Sequence, residues 1–202
     1  MKKKSMRFLL TAICLAACVV GMVFAFACGE EQPDRFDAYD TISVVIDDNY
    51  PPYVFRDTDG TLQGILIDEW ALWSEKTGVK AEIHAMDWAD ALAGMRAGKF
   101  DVIDTVFFNE ERDSWLDYSE PYVTIDVPIF HSNQIGGITD ASSLRGFVVA
   151  VKGGDSCISI LRAAGVTEIV EYASYEAIID AAKSGEISVF VVDESPAIYF
   201  LY

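Results

Sequence analysis

Short apolar segments typical of β-strands alternate with segments of helical periodicity from residue 41 onward. Leu66, Trp70 and Trp73 recur at helical spacing before Gly78, which predicts one helix and its end. Asp87 is a suitable N-cap for the next helix. The strands predicted around these helices are residues 42–46, 81–85 and 100–107. Because the strands are short, largely apolar and joined by helices, they predict a parallel sheet with helices on its faces.

The same succession of elements returns in the second half of the chain. Ser174 stands in the place of Asp87, and Gly185 stands in the place of Gly98, 87 residues further on. The strands predicted here are residues 148–151, 168–171 and 187–192. We therefore predict an α/β fold built from two lobes of similar construction.

The limits of the two lobes follow from these elements. The first lobe is predicted over residues 41–124 and the second over residues 125–202. The extended stretch 122–131 is the predicted crossover between them. The chain ends in an apolar segment, residues 196–202, without a stop signal, and about 70 residues per lobe is little for a stable core. We therefore expect the second lobe to be incomplete and the chain to be a fragment truncated at its C-terminus.

The first residues have the composition of an export signal. A basic head precedes an uncharged apolar run over residues 8–28, and the small-residue pattern Ala25-Phe26-Ala27 near the end of this run is a suitable cleavage site. This pattern predicts a signal peptide over residues 1–27 and a polar tether over residues 28–40. Two alternatives remain, because a run of 21 residues is long enough to span a bilayer uncleaved, and residues 15–18 resemble a lipoprotein box. Each of them places the folded part outside the cytoplasm, in the periplasm.

Acidic residues dominate the chain beyond this segment. Four of the 15 basic residues lie within the first seven positions and no acidic residue precedes Glu30, so the remainder carries 11 basic against 32 acidic residues. A surface of this sign repels phosphate backbones and anionic headgroups. We therefore expect neither nucleic acid nor an anionic membrane surface as a partner.

Residues suited to catalysis or metal binding form no recognisable pattern in the sequence. Cys157 is the single cysteine beyond the apolar run, and we expect it to be buried. His84 and His131 are 47 positions apart, without a second ligand near either of them. The sequence contains neither G-x-S-x-G nor H-E-x-x-H. We therefore expect no metal, no cofactor and no enzymatic activity.

Charged and aromatic side chains follow the predicted strands of both lobes. Asp47 and Tyr50 follow the first strand, Arg112 follows the third, and Asp155 and Asp193 follow strands of the second lobe. Ligands of open parallel sheets bind beyond the carboxyl ends of the strands, so we expect these residues in one cleft. Arg112 can grip a carboxylate, and Asp193 or Asp47 can pair with an ammonium. Tyr50 can cover an apolar group or stack over a cation. The set suits a zwitterion.

Simpler structural roles are open for the same residues. Arg112 lies among acidic residues and alternatively makes surface ion pairs only. Asp193 alternatively only begins the helix that follows it. For Asp155, we favour a role as the N-cap of the following helix over contact with a ligand. Lys152-Gly153-Gly154 resembles a phosphate-binding loop only weakly, because the Gly-Lys-Ser/Thr ending is absent. The four tryptophans are expected in the core rather than in the cleft.

Short motifs occur in a specific order along the folded part. They are Asp47 with Tyr50-Pro51-Pro52-Tyr53, the stretch GTLQGILID at residues 60–68, GKFD at 98–101, NEER at 109–112, YSEPY at 118–122, LRG at 144–146, and Asp193. In this order the chain resembles the family 3 bacterial extracellular solute-binding proteins from about residue 41 to residue 202. The resemblance implies a two-lobed fold of the periplasmic-binding-protein type II kind. It also implies that the chain of such proteins returns to the first lobe after the second.

The resemblance assigns roles to individual residues. In that family the arginine after the third strand holds the α-carboxylate of the ligand, and this position is Arg112. The aspartate that closes the last strand of the second lobe holds the α-amino group, and this position is Asp193. The first-strand aspartate and aromatic residue correspond to Asp47 and Tyr50. The implied ligand is an amino acid or a related zwitterion.

Two positions depart from the family pattern. Amino-acid binders carry a small hydroxyl residue four or five positions before the arginine, where this chain has Phe107, with Thr105 two residues earlier. The second lobe has Gly153-Gly154-Asp155 in place of Gly-Thr-Thr. The lost hydroxyl and the additional acid leave an amino acid as the expected ligand class, with a cationic or less usual solute as an alternative.

Three functions are compatible with the resemblance. The first is the substrate-binding component of an ABC-type importer, whose closed lobes dock on a membrane permease. The second is the extracytoplasmic sensor input of a membrane signalling protein, a histidine kinase or a cyclic-dinucleotide enzyme. The third is an enzyme, because a few relatives of this fold are dehydratases. We expect one of the two binding functions.

Overall fold

The computed structural model describes residues 39–202. Its strands are β1 (Thr41–Asp47), β2 (Asn49–Tyr50), β3 (Val54–Arg56), β4 (Leu62–Gln63), β5 (Lys80–Met86), β6 (Val102–Ile103), β7 (Ile129–His131), β8 (Val149–Lys152), β9 (Ile169–Tyr172) and β10 (Val189–Val191). Its α-helices are α1 (Ile65–Thr77), α2 (Trp88–Arg96), α3 (Glu110–Asp113), α4 (Cys157–Ala163), α5 (Tyr175–Ser184) and α6 (Glu194–Leu201). None of these helices is long and apolar enough to cross a membrane. The export segment predicted over residues 1–27 lies outside the described residues.

The first lobe is built on a three-stranded parallel sheet in the order β5-β1-β6. The central strand β1 is buried on both faces. Val44 and Ile46 pack in one cluster with Leu66 of α1, whereas Val45 points to the other face and packs with Ala91 of α2. Burial of both faces accounts for the apolar run Val44-Val45-Ile46 in this strand. The parallel sheet covered by helices, which the sequence predicted, is confirmed.

The third strand of this sheet is shorter than the prediction of residues 100–107. Only Val102 and Ile103 pair with β1. The backbone N–H of Asp104 still donates to the carbonyl of Val45 at 3.1 Å. Thr105 then adopts a φ of 58°, a left-handed conformation that a β-strand does not contain. This turn takes the chain off the sheet and toward α3.

A small antiparallel sheet of β2, β3 and β4 lies between β1 and α1 in the chain. The backbone N–H of Ile65, at the start of α1, donates to the carbonyl of Pro52 at 3.3 Å. Gly64, with a φ of 126°, permits this approach. A Cβ at Gly64 would lie 2.9 Å from the Pro52 carbonyl oxygen and closer still to that of Tyr53. The segment that carries Tyr50 is therefore held against the start of α1.

The second lobe is built on a four-stranded sheet in the order β7-β10-β8-β9. Strands β8, β9 and β10 are parallel, and β7 pairs antiparallel with β10. Val151 packs with Leu161 of α4 on one face, and Ala150 packs with Ile178 of α5 on the other. The three strands predicted in this half are present, with limits that differ by one or two residues. The molecule is therefore an α/β protein of two lobes.

The chain enters the second lobe through an irregular segment that ends in β7. Of the predicted crossover, residues 122–128 form no regular element and residues 129–131 form β7. The backbone N–H of Glu194, in the first turn of α6, donates to the carbonyl of Asp126 at 2.9 Å. Residues 122–128 thus contain neither helix nor strand, and the role of the crossover as a hinge stays a prediction.

Candidate functional site

Residues that follow strands of both sheets line one cavity of about 20 Å³ between the lobes. The lining residues are Asp47, Tyr50, Trp88, Thr105, Phe107, Arg112, Asp155, Ser156, Tyr175 and Asp193. All seven residues predicted for the site are among them, because strands of each parallel sheet end at the same edge. Their roles in binding stay predictions. A space of this size accommodates about one water molecule, so side chains of the two lobes nearly fill the cleft.

Arg112 reaches the cavity from the short helix α3. The Asn109 side chain caps this helix, accepting a hydrogen bond from the backbone N–H of Arg112 at 2.8 Å. The guanidinium donates to the carbonyl of Phe107 at 3.1 Å and, across the cleft, to the carbonyl of Gly154 at 2.8 Å. It also lies 5.9 Å from the ring centroid of Trp88. Burial lowers the pKa of Arg112.

The surface ion pair considered for Arg112 is wrong. The residue is only 5% exposed, and its guanidinium forms no salt bridge with any carboxylate of residues 39–202. A guanidinium carries five N–H donors in a planar fork, and the two carbonyls use part of that capacity. Arg112 is therefore a buried cation with geometry suited to a carboxylate.

Asp193 follows β10 and faces the cavity from the second lobe. Its Oδ2 accepts hydrogen bonds from the hydroxyls of Tyr50, at 2.8 Å, and Tyr175, at 3.1 Å. Its Oδ1 is buried and has no hydrogen-bond partner within the described part of the chain. Burial, followed by the charge of Asp155, raises the pKa of Asp193 to about 7. Hydrogen bonds from both tyrosines and the charge of Lys152 act in the opposite direction.

The alternative in which Asp193 only begins a helix describes its position but not its side-chain contacts. Asp193 does precede α6, but its side chain makes no capping hydrogen bond to that helix. Asp155 behaves differently, because its Oδ1 accepts from the backbone N–H of Cys157, the first residue of α4, at 3.2 Å. The N-cap residue of α4 is nevertheless Ser156, so the favoured N-cap interpretation of Asp155 is wrong by one residue, although the Asp155 side chain does accept from the first turn of the helix. Asp155 also lines the cavity. Burial raises the pKa of Asp155.

Lys152 does not line the cavity itself but contacts two residues that do, and the sequence indicated it only as part of a weak phosphate-loop resemblance, not as a site residue. It ends β8 of the second lobe, is 1% exposed, and forms an ion pair with Asp47 at the end of β1 in the first lobe. Its ammonium lies 4.6 Å from the ring centroid of Tyr175, which was also missed. Burial raises the pKa of Asp47, and the nearby Lys152 partly offsets this. The available signal was a lysine ending an otherwise apolar strand, Val149-Ala150-Val151, which places its ammonium at the edge where ligands bind.

Thr105 and Phe107 line the cavity from the segment between β6 and α3. The Thr105 hydroxyl donates to the carbonyl of Asp104 at 2.7 Å, and the Thr105 backbone N–H donates to Asp104 Oδ1 at 2.6 Å. The Phe107 carbonyl accepts from Arg112 and, at 3.3 Å, from the hydroxyl of Tyr118. Trp88, expected in the core, packs there and also borders the cavity. Within residues 39–202, no cluster of three His, Cys, Asp or Glu side chains could hold a metal ion.

Residues 42–178 match the family described as bacterial extracellular solute-binding proteins, family 3. The L-cystine-binding protein TcyJ of Escherichia coli is 27% identical over 144 residues, which is 70% of this chain and 54% of that protein. The chain thus spans about half the length of this relative. The virulence sensor protein BvgS of Bordetella pertussis is 29% identical over 122 residues, which is 60% of this chain and 10% of that protein.

A solved structure shares the fold of the described residues. An ancestral arginine-binding protein bound to arginine superimposes with a TM-score of 0.71 at 28% identity, covering 80% of this chain and 74% of that chain. The two-lobed α/β architecture and the family match over most of the chain agree with each other. This chain therefore belongs to the bacterial extracellular solute-binding proteins of family 3.

Proposed function

We propose that the chain binds a small zwitterionic solute, of the amino-acid class, by closing its two lobes around it outside the cytoplasm. The observation that carries the proposal is that Arg112 and Asp193, which do not pair with each other, both line one cavity. Asp193 presents a buried carboxyl oxygen without a hydrogen-bond partner among residues 39–202, and such an atom gains most from an N–H donor. Arg112 presents guanidinium donors to the same cavity. An α-carboxylate and an ammonium would satisfy both groups at once.

The roles proposed for the other site residues follow from their positions. Tyr50 and Tyr175 orient the Asp193 carboxyl through their hydroxyls. Thr105 and Phe107 border the cavity in the first lobe, and Asp155 borders it in the second. The cavity is too small for an amino acid until the lobes move apart, so binding includes hinge motion at the crossover, residues 122–131. We propose binding without turnover, which predicts that a labelled ligand is recovered chemically unchanged.

Isothermal titration calorimetry with amino acids tests the site directly. Arg112→Ala and Asp193→Asn are each expected to weaken binding at least about 30-fold, since loss of one partner of a buried charge pair costs about 2–5 kcal/mol. Arg96→Ala is the matched control, because Arg96 is exposed and pairs with Glu111 on the surface. Unchanged affinity in both site variants would show that the solute binds elsewhere.

We propose that the bound form serves as the substrate-binding component of an ABC-type importer and docks on a membrane permease. The similarity to a cystine-binding protein supports this role. The similarity to BvgS supports a second candidate, the sensor input of a membrane signalling protein such as a histidine kinase. The reading frame after the codon of Tyr202 distinguishes the two. An importer component stops after completing its lobes, whereas a sensor continues into a membrane helix and a signalling domain.

A further inference from the structure

Lys152 is the most deeply buried charged residue among residues 39–202, with 1% of its surface exposed. Its ammonium pairs with the carboxylate of Asp47 from the opposite lobe and lies over the face of the Tyr175 ring. A carboxylate and an aromatic face are groups with which proteins bind organic cations. The Lys152 ammonium therefore lies where the cationic group of a solute could otherwise bind, between Asp47 and the Tyr175 ring.

The charge balance of the cleft depends on this lysine. Three buried carboxyl groups, those of Asp47, Asp155 and Asp193, are opposed by Arg112 and Lys152. With Lys152 in place, Asp47 is paired within the protein, and Asp155 accepts from the backbone N–H of Cys157 at the start of α4. Arg112 and Asp193 remain for the two ends of a zwitterion. Without Lys152, three carboxyl groups would face one guanidinium, and the cleft would attract an additional positive charge.

We propose that Lys152 is a specificity-determining residue that supplies, from within the protein, the cation that a basic amino acid would otherwise bring. This inference rests on the proposed function and narrows its substrate class to zwitterions without a second cationic group. The lysine excludes basic amino acids in two ways. Its ion pair with Asp47 makes that carboxylate unavailable to a cationic side chain of the solute, and its own charge repels a second ammonium or guanidinium. Because Asp47 and Lys152 belong to different lobes, the same pair also bridges the cleft.

Selectivity separates this role from that of a purely structural ion pair. A structural pair would hold the lobes together and affect all amino acids equally. A specificity-determining lysine changes the ratio of affinities for two ligands of similar length that differ in charge. L-glutamine, which is neutral, and L-lysine, which is cationic, form such a pair of probes.

The experiment is calorimetric titration of the full chain with L-glutamine and with L-lysine. We expect the unmodified chain to bind L-glutamine at least about tenfold more tightly than L-lysine, and Lys152→Met to reverse this preference. Lys80→Met is the matched control, because Lys80 pairs with Glu82 on the exposed surface. Asp47→Asn combined with Lys152→Met removes the freed carboxylate as well, and we expect it to lose the gain in L-lysine binding.

Two results would overturn the inference while leaving the proposed function intact. They are equal or tighter binding of L-lysine by the unmodified chain, and an unchanged preference in Lys152→Met. The first comparison does not depend on whether the variant folds. If no amino acid binds to any of these proteins, the proposed function is wrong instead.

The bridge between the lobes is tested independently of any solute. Spin labels introduced through unnatural amino acids at Leu72, exposed on α1, and Ile160, exposed on α4, report the separation of the two lobes. We expect Lys152→Met to shift the distance distribution to longer values, because it leaves Asp47 buried without its partner. A distribution identical to that of the unmodified chain would refute the bridge.

Discussion

The Asp193 carboxyl shows how far one side chain can depart from its behaviour in water. It is 3% exposed, and two tyrosine hydroxyls share its Oδ2 while its Oδ1 has no partner in the described residues. Burial is the largest cause of its raised pKa, and the charge of Asp155 is the next. A carboxyl with a pKa of about 7 changes its charge near neutral pH, and an ammonium placed beside it would restore the charged form.

This pKa predicts a specific dependence of stability on pH. Between the ordinary value of 3.8 and about 7, Asp193 holds a proton in the folded protein but not in the unfolded chain. Its contribution to the free energy of unfolding is therefore complete at low pH and is lost as the pH rises through 7. Asp193→Asn has no carboxyl group to titrate, so its free energy of unfolding should not fall in this way. Relative to the unmodified chain, we expect the free energy of unfolding of Asp193→Asn to rise by on the order of 2–4 kcal/mol as the pH increases from 4 to 8.

Urea unfolding of both proteins at pH 4, 6 and 8 measures this difference. Asp180→Asn, at an exposed position of α5, serves as the matched control. A stability difference between Asp193→Asn and the unmodified chain that stays constant with pH would mean that the Asp193 carboxyl is charged throughout this range.

At the scale of elements, strand ends and the turns after them place the site residues. The turn after β6 is an example, because the Asp104 carboxylate accepts from the indole N–H of Trp70 at 2.7 Å and from the Tyr122 hydroxyl. The same carboxylate accepts a hydrogen bond from the backbone N–H of Thr105, and this bond supports the left-handed conformation of Thr105. Helix α1, the start of the crossover and the cavity wall at Thr105 thus meet at one side chain.

The packing of β2 and β3 against α1 predicts a position that tolerates no side chain. Gly64 has both a positive φ and backbone atoms where a Cβ would lie, whereas Gly60 has a φ of 86° with nothing within 4 Å. We expect Gly64→Ala to lower the free energy of unfolding by about 2–5 kcal/mol through strain and overlap. Gly60→Ala has only the backbone strain and is expected to cost about 1–2 kcal/mol. Equal losses in urea unfolding would show that the hairpin can move away from α1.

For the whole molecule, the important contacts are those that cross the cleft. The Arg112 guanidinium donates to the Gly154 carbonyl, the Tyr50 hydroxyl donates to Asp193, and Lys152 pairs with Asp47. A solute that binds between the lobes competes with these contacts for the same groups. The measured affinity therefore reports the difference between solute contacts and the contacts that the lobes already make with each other.

Removing one contact across the cleft should shift the balance toward the open form. Tyr50→Phe deletes the hydroxyl bonded to Asp193 and retains the ring, so we expect the open-to-closed ratio to rise roughly fivefold, for a hydrogen bond of about 1 kcal/mol. Tyr53→Phe is the control, because the Tyr53 ring stacks on Tyr50 while its hydroxyl makes no hydrogen bond within residues 39–202. Distances between labels at Leu72 and Ile160 measure the ratio. Equal distributions in the two variants would mean that this hydrogen bond does not hold the lobes together.

The sequence by itself determined the class of fold and the residues that could meet in the cleft. Apolar strands such as the one containing Val44 and Val45 can be buried on both faces only in a covered parallel sheet, and this requirement is visible in the residues alone. The carboxyl ends of such strands are where ligands bind, so Asp47, Arg112 and Asp193 could be predicted from their positions after strands. Their convergence on one cavity agrees with this reasoning.

Only the tertiary structure decided how these groups are paired. The ion pair of Lys152 with Asp47 joins residues 105 positions apart, and the hydrogen bond of Tyr50 with Asp193 joins residues 143 positions apart. Pattern and spacing carry no information about such partners, because the packing of one lobe on the other sets the distance and the burial. Burial also sets the raised pKa of Asp193 and the lowered pKa of Arg112, since both follow from the loss of water around a charge.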